Sequence, residues 1–231
     1  MVRTPGQGER LARRLARLAL DVVGEIAAPT TCAACDERVR PRVVFCEACA
    51  VSVIARPEGA SPRAAFVYGG AVATAILALK YRRRPDLAPR LGAAMAAHAV
   101  DLASRIDLVV PVPLHPRRLA ERGFNQAALL ASPIAAELGV PRRARALERI
   151  RDTPKQAELD RESRAANVEG AFRCASPKAV EGRRVLLVDD VRTTGATLSA
   201  CAATLLASGA RSVVTYAFAA KDRASEASED A

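Results

Sequence analysis

One stretch of the chain, residues 185–198 (VLLVDDVRTTGATL), constrains the possible folds more than any other. It opens with four consecutive apolar residues, which predict a buried strand. After two aspartates and a short polar turn, Leu198, Cys201 and Leu205 recur at the spacing of one helix face. A buried strand that leads directly into a helix packed back on it is typical of parallel α/β sheets.

Strands and helices also alternate along the rest of the chain. Apolar or alternating runs predict strands at residues 64–69, 107–113, 184–188 and 212–219. Helical spacing predicts helices at residues 71–81, 87–103 and 125–138, and a last helix that ends at residue 208. We therefore expect an α/β domain with a doubly wound, mostly parallel sheet at residues 57–221.

The turn at residues 193–197, called here the threonine turn, is a candidate phosphate site. It lies at the N-terminus of a predicted helix and beyond the carboxyl end of a predicted strand. Free backbone N–H groups and the helix dipole favour an anion at such a place. Gly195 permits close backbone approach, and three threonine hydroxyls add hydrogen-bond donors.

Asp189 and Asp190 precede this turn and place negative charge next to the candidate phosphate site. Two carboxylates beside a phosphate site would repel a bare anion, so they favour a ligand that also carries hydroxyls or a divalent cation. A ribose 5-phosphate meets that description. The competing interpretation is a pair of acids that caps the helix, although capping requires one acid near the turn and not two before it.

Two pairs of cysteines precede the α/β domain, each with the spacing Cys-X-X-Cys and separated by ten residues. Each pair sets two sulfurs on a tight turn, and four thiolates at about 2.3 Å suit structural zinc. A disulfide framework belongs more to small secreted chains, while an iron–sulfur or redox role stays open. We expect a zinc ribbon at residues 29–56 with four ligands: Cys32, Cys35, Cys46 and Cys49.

The net charge of the chain is +10 at pH 7. This excess of positive charge favours anionic partners, namely phosphorylated metabolites, pyrophosphate or a nucleic-acid backbone. An arginine-rich proteome explains it equally well, since net charge says nothing about fold. Because only 3% of the residues are aromatic, any contact with DNA should be chiefly electrostatic and not based on stacking.

The two ends of the chain receive separate predictions. Residues 1–28 are predicted to form a basic amphipathic helix, which either packs on its own domain or lies on a membrane surface or DNA. The chain lacks an apolar run of the roughly 20 residues that span a membrane and lacks a secretory signal, so we expect a cytoplasmic location. Residues 222–231 are predicted to be disordered.

Residues 185–197 resemble the ribose-phosphate signature of type I phosphoribosyltransferases, which consists of an apolar strand, two acids and Thr-Thr-Gly-Ala-Thr. The resemblance implies that Asp189 and Asp190 act as the catalytic residues and hold the ribose hydroxyls. It implies a phosphoribosyl pyrophosphate (PRPP) site at Val191, Arg192, Thr193, Thr194, Gly195, Ala196 and Thr197. Arg192 departs from the pattern, in which an apolar residue is usual.

A second stretch, residues 109–126 (VVPVPLHPRRLAERGFNQ), is similar to ComF-type competence proteins, as are residues 151–156 (RDTPKQ) and the four cysteines. The resemblance implies Mg²⁺ bound with the pyrophosphate group and a role in DNA uptake. It adds four residues to the PRPP site: His115, Arg117, Arg118 and Arg122. The loop around Lys155 is either a lid or a solvated connector. Many relatives carry a further cysteine pair, which residues 50–66 lack, so we expect one zinc site.

Three functions remain open from the sequence. The first is a phosphoribosyltransferase with an unidentified acceptor, and the second is an accessory protein of competence that binds single-stranded DNA or other competence proteins. The third is a sensor that binds PRPP without turnover. Pyrophosphate release would favour the first, because only transfer breaks the bond to the diphosphate.

Overall fold

A computed structural model describes residues 30–57, 59–152, 168 and 170–221. The predicted N-terminal helix at residues 1–28, the predicted tail at residues 222–231 and the loop around Lys155 lie outside these residues. Among the helices in the described ranges, none is long and apolar enough to pass through a bilayer.

Six strands and seven α-helices lie in the described ranges. The strands are β1 (Ala64–Val67), β2 (Leu108–Pro111), β3 (Leu147–Arg149), β4 (Phe172–Cys174), β5 (Arg184–Arg192) and β6 (Ser212–Ala220). The helices are α1 (Glu47–Ala50), α2 (Gly70–Tyr81), α3 (Ala88–Ala97), α4 (Pro116–Arg122), α5 (Gln126–Glu137), α6 (Pro177–Val180) and α7 (Ala196–Ala207). Short 3₁₀ turns occupy Pro85–Leu87 and Val100–Leu102.

The main sheet has the strand order β1-β6-β5-β2, and its three pairings are parallel. Alternate residues of β5 enter two different cores, as a strand with helices on both faces requires. Leu186 and Val188 pack with α2, α3 and α5. Val185 and Leu187 pack with α7. The prediction of a doubly wound, mostly parallel α/β sheet is confirmed.

The structure differs from the sequence-based prediction at three places. The helix predicted at residues 87–103 ends at Ala97, and a separate 3₁₀ turn follows. Strand β5 continues through both aspartates to Arg192, because β6 pairs with it as far as Ala220. Helix α4 and the antiparallel pair β3–β4 were not predicted.

The four-cysteine segment is docked against the α/β domain. Ala55 forms an antiparallel bridge with Phe66 of β1. From α3, Arg90 donates hydrogen bonds to the carbonyl oxygens of Val43 at 2.5 Å and Thr31 at 2.8 Å. These contacts tie the segment to the helices that cover one face of the sheet.

Candidate functional site

A cavity of about 440 Å³ opens beyond the carboxyl ends of the four parallel strands. Each strand contributes to its wall near its carboxyl end: Tyr68 after β1, Val112 after β2, Asp190 in β5 and Lys221 after β6. Open α/β sheets bind ligands at this edge. We call this space the ligand cavity.

Asp190 is 7% exposed and forms an ion pair with Lys80 of α2, with 2.8 Å between Oδ1 and Nζ. Both side chains line the ligand cavity. Burial alone would lower the pKa of Lys80, but the negative charge of Asp190 outweighs it and raises that pKa. The aspartate therefore faces a fixed positive charge at the cavity wall.

Asp189 also lines the ligand cavity. Its carboxylate accepts a hydrogen bond from the backbone N–H of Asp190 at 2.8 Å. Burial, and then the charge of Asp190, raise the pKa of Asp189 to about 7, against the opposing effect of Lys80. One of the two acids is therefore poised to gain or lose a proton near neutral pH.

The threonine turn borders the same cavity. Thr193 and Thr197 line it together with Val191. Gly195 has a left-handed backbone (φ +84°), and a Cβ built there would lie 2.9 Å from Nε of Arg192. Because the arginine side chain lies across this bend, a residue larger than glycine would displace it.

Two of the four residues predicted for the pyrophosphate group lie in the wall of the ligand cavity. Arg118 and Arg122 both line it. Arg117 instead projects outward, with a 72% exposed side chain paired to Glu121 and Asp152. His115 begins α4, where its Nδ1 accepts a hydrogen bond from the backbone N–H of Arg117 at 3.4 Å. His115 and Arg117 are not among the residues that line the ligand cavity, and their assignment to the pyrophosphate group stays a prediction.

A second depression of about 290 Å³ adjoins the ligand cavity, and we call it the basic cleft. Four of its wall residues also line the ligand cavity, and the other two are a cation, Arg83, and an acid, Glu121. The guanidinium of Arg122 lies over the ring of Tyr81, 5.3 Å from its centroid. The wall of the basic cleft consists of Lys80, Tyr81, Arg83, Arg118, Glu121 and Arg122.

Several cavity residues were missed by the sequence analysis, chiefly Lys80, Tyr68, Gln126 and Arg149. Lys80 left a usable signal, since it is the one charged residue in the helix Gly70–Tyr81. Arg149 is 8% exposed and close enough to Asp189 to lower the pKa of that acid. Its strand is only three residues long and carries no clear periodicity, so no sequence signal placed it there.

The four cysteines Cys32, Cys35, Cys46 and Cys49 form one cluster, with their sulfurs within 4.8 Å of one another. Four sulfurs at about 2.3 Å from zinc would lie about 3.8 Å apart, and the sulfurs of Cys35 and Cys46 are 3.5 Å apart. Burial alone would raise the pKa of Cys32, but hydrogen bonds from backbone N–H groups lower it to about 6. The cluster therefore fits a closed four-ligand metal site.

Comparisons with known proteins show similarities in sequence and in structure. Residues 125–231 match the family described as "Phosphoribosyl transferase domain". Among solved structures, an adenine phosphoribosyltransferase is similar, with 18% identity, a TM-score of 0.41 and coverage of 65% of this chain and 78% of that one.

Two curated relatives complete the comparison. The chain is 34% identical to DNA utilization protein YhgH of Salmonella typhimurium over 203 residues, which cover 80% of this chain and 88% of that protein. It is 39% identical to competence protein F of Haemophilus influenzae over 94 residues, 40% of this chain and 41% of that protein. The chain, in which a phosphoribosyltransferase domain follows a four-cysteine segment, therefore belongs to the ComF family.

Proposed function

We propose that the protein binds PRPP in the ligand cavity, with the 5-phosphate at the threonine turn and the ribose hydroxyls at Asp189 and Asp190. The observation that carries the proposal is the shared cavity. It brings an acid pair, a helix N-terminus and the cations Arg118 and Arg122 to one edge of the sheet. Hydroxyls, a phosphate and a diphosphate on one ligand would satisfy these three groups together.

Transfer of the phosphoribosyl group is the activity we propose for this site. The bond between C1 and the diphosphate oxygen breaks, its electron pair leaves with the diphosphate, and a bond from an acceptor forms at C1. The protein orients the ribose and supplies positive charge to the leaving group. Mg²⁺ bound to the diphosphate would take up part of the same charge, and the carboxylates of Asp189 and Asp190 are oxygen donors of the kind it prefers.

Replacing both Asp189 and Asp190 with asparagine should lower the affinity for PRPP about a hundredfold. Each substitution weakens a hydrogen bond to a charged group, worth roughly 1.5–3 kcal/mol, and about 3 kcal/mol in total corresponds to a hundredfold. Isothermal titration calorimetry with PRPP and Mg²⁺ measures this change. Asp101→Asn, which alters only a surface pair with Arg63, is the matched control. Equal affinities of the wild type and the double variant would remove the assignment.

A second candidate function is binding of single-stranded DNA along the basic cleft. The four cations of that cleft favour it, and so do the names of the relatives, DNA utilization protein and competence protein F. Such binding would be electrostatic, because each neutralised phosphate releases counterions.

Arg83→Ala should weaken single-stranded DNA binding and reduce its salt dependence by about one phosphate contact. Fluorescence anisotropy of a labelled oligonucleotide across a salt series measures both quantities. Arg211→Ala is the control, because Arg211 precedes β6 and lies at the opposite edge of the sheet. DNA binding that is unchanged in Arg83→Ala would place the contact on another surface.

A further inference from the structure

Gln126 is a buried polar residue with an unusual position in the ligand cavity. It is the first residue of α5, is 1% exposed and lines the cavity wall. Its amide nitrogen Nε2 finds no hydrogen-bond acceptor among the described residues. Since a buried amide donor without an acceptor destabilises a protein, such a group needs an explanation.

The side-chain amide of the preceding residue, Asn125, has a structural role. Asn125 Nδ2 donates to the carbonyl oxygen of Val112 at 2.9 Å, and Asn125 Oδ1 accepts from the N–H of Ala128 at 3.3 Å. Asn125 thereby caps α5 and ties it to the end of β2. The amide nitrogen of Gln126 takes no part in this arrangement and is left for a group inside the cavity.

The position of Gln126 indicates which part of a ligand it meets. The bond from Asn125 to Val112 holds it next to the segment that follows β2, whereas the acid pair lies in β5 and the threonine turn follows that strand. The segment after β2 leads into α4, and Arg118 and Arg122 of this helix both line the cavity. An amide donor on the same part of the chain as these two guanidinium groups suits a strongly anionic oxygen.

We propose that Gln126 Nε2 donates a hydrogen bond to an oxygen of the diphosphate group, and so makes the cavity selective for PRPP over ribose 5-phosphate. The inference rests on the proposed function and adds a residue that recognises the diphosphate. It also explains the missing acceptor, because the ligand supplies it. Gln126 is thus a specificity-determining residue and not part of the fold's framework.

Gln126→Met tests this role, because methionine keeps the size of the side chain and removes the amide. The melting temperature of the free variant should rise by about 2 to 4 °C, since the buried donor is gone. In the presence of Mg²⁺, calorimetry should show affinities for PRPP and pyrophosphate about tenfold lower than those of the wild type. The affinity for ribose 5-phosphate should not change. Asp189→Asn should show the reverse pattern, with a loss on ribose 5-phosphate and little change on pyrophosphate.

Gln126→Glu provides a second measurement with the fold kept, because an acid in the first turn of a helix is favourable. It should lose more PRPP affinity than Gln126→Met, since a carboxylate would face the diphosphate.

A methionine variant that is less stable than the wild type with unchanged PRPP affinity would overturn the inference, as would equal losses for PRPP and ribose 5-phosphate. If the wild type binds ribose 5-phosphate through Asp189 but binds PRPP no better, the inference fails and the proposed site stands. Binding of none of the three ligands would refute both.

Discussion

Cys46→Ser is expected to abolish the binding of one zinc ion per chain and to lower the melting temperature by about 10 °C. The four-cysteine segment has little core of its own, since within residues 30–57 only Cys32 and Ala33 are buried apolar residues. Metal binding must therefore supply most of its folding free energy, and structural zinc contributes roughly 10–16 kcal/mol in small metal-dependent domains.

The loss should extend beyond the segment itself. Val44, Phe45 and Val53 pack against the core formed by α2, α3 and the sheet. If the segment unfolds, this apolar surface meets water, and each fully exposed apolar side chain lowers the free energy of unfolding by about 1.5–3 kcal/mol. A loss of about 4 kcal/mol in the free energy of unfolding corresponds to a fall of about 10 °C in melting temperature for a protein of this size.

Metal analysis by mass spectrometry and thermal unfolding by circular dichroism measure the two effects. Cys174→Ser is the control, because this half-buried cysteine lies outside the cluster and should leave both quantities near their wild-type values. A purified wild-type chain without zinc, or a Cys46→Ser variant with an unchanged melting temperature, would contradict the prediction.

Much of the fold could be predicted from the sequence because the sheet is buried on both faces. Strand β5 contains a continuous apolar run at residues 185–188, and α7 buries Leu198, Cys201 and Leu205 as its spacing indicates. Helix α4 (PRRLAER) was missed because it is rich in charged residues and has no apolar face, and none of its residues is buried. Such a helix leaves no periodic signal.

Apart from Arg118 and Arg122, which the family resemblance supplied, the site could be predicted only where neighbouring residues in the sequence stay neighbours in space. Asp189, Asp190 and the threonine turn follow one another along the chain, so their grouping was visible. Lys80 and Gln126 reach the same cavity from helices that precede the turn by many residues, and only the parallel sheet brings them there. Strand β5 extends through both acids, and adjacent side chains of a strand point in opposite directions. The two aspartates therefore differ, and only Asp190 forms an ion pair with Lys80.

Lys80→Met is expected to lower the free energy of unfolding by about 3 kcal/mol at pH 8 and by about 2 kcal/mol at pH 5. The substitution leaves the buried carboxylate of Asp190 without its cation, and breaking a buried ion pair in this way typically destabilises a protein by about 3–5 kcal/mol. The pair is buried enough for this value to apply, with side chains 21% and 10% exposed for Lys80 and Asp190.

The pH dependence follows from the direction of the pKa shift. In the folded wild type the pKa of Asp189 is already raised to about 7, against roughly 3.9 in an unfolded chain, and removal of Lys80 raises it further. A folded state that binds the proton more tightly is destabilised as the pH rises toward the folded pKa, and the penalty is complete above it. Well below pH 7 Asp189 is protonated in the folded wild type and in the folded variant alike, so its share of the difference disappears and the loss of the ion pair with Asp190 remains.

Urea unfolding of the wild type and the variant at both pH values measures this effect, because the carboxylates distant from Lys80 titrate alike in the two proteins and cancel. Lys80→Arg keeps the charge and should recover most of the stability. Lys178→Met, at an exposed position of α6, should change stability by less than about 0.5 kcal/mol at either pH. A loss for Lys80→Met that is equal at pH 5 and pH 8 would mean that the protonation of Asp189 does not depend on the charge of the lysine.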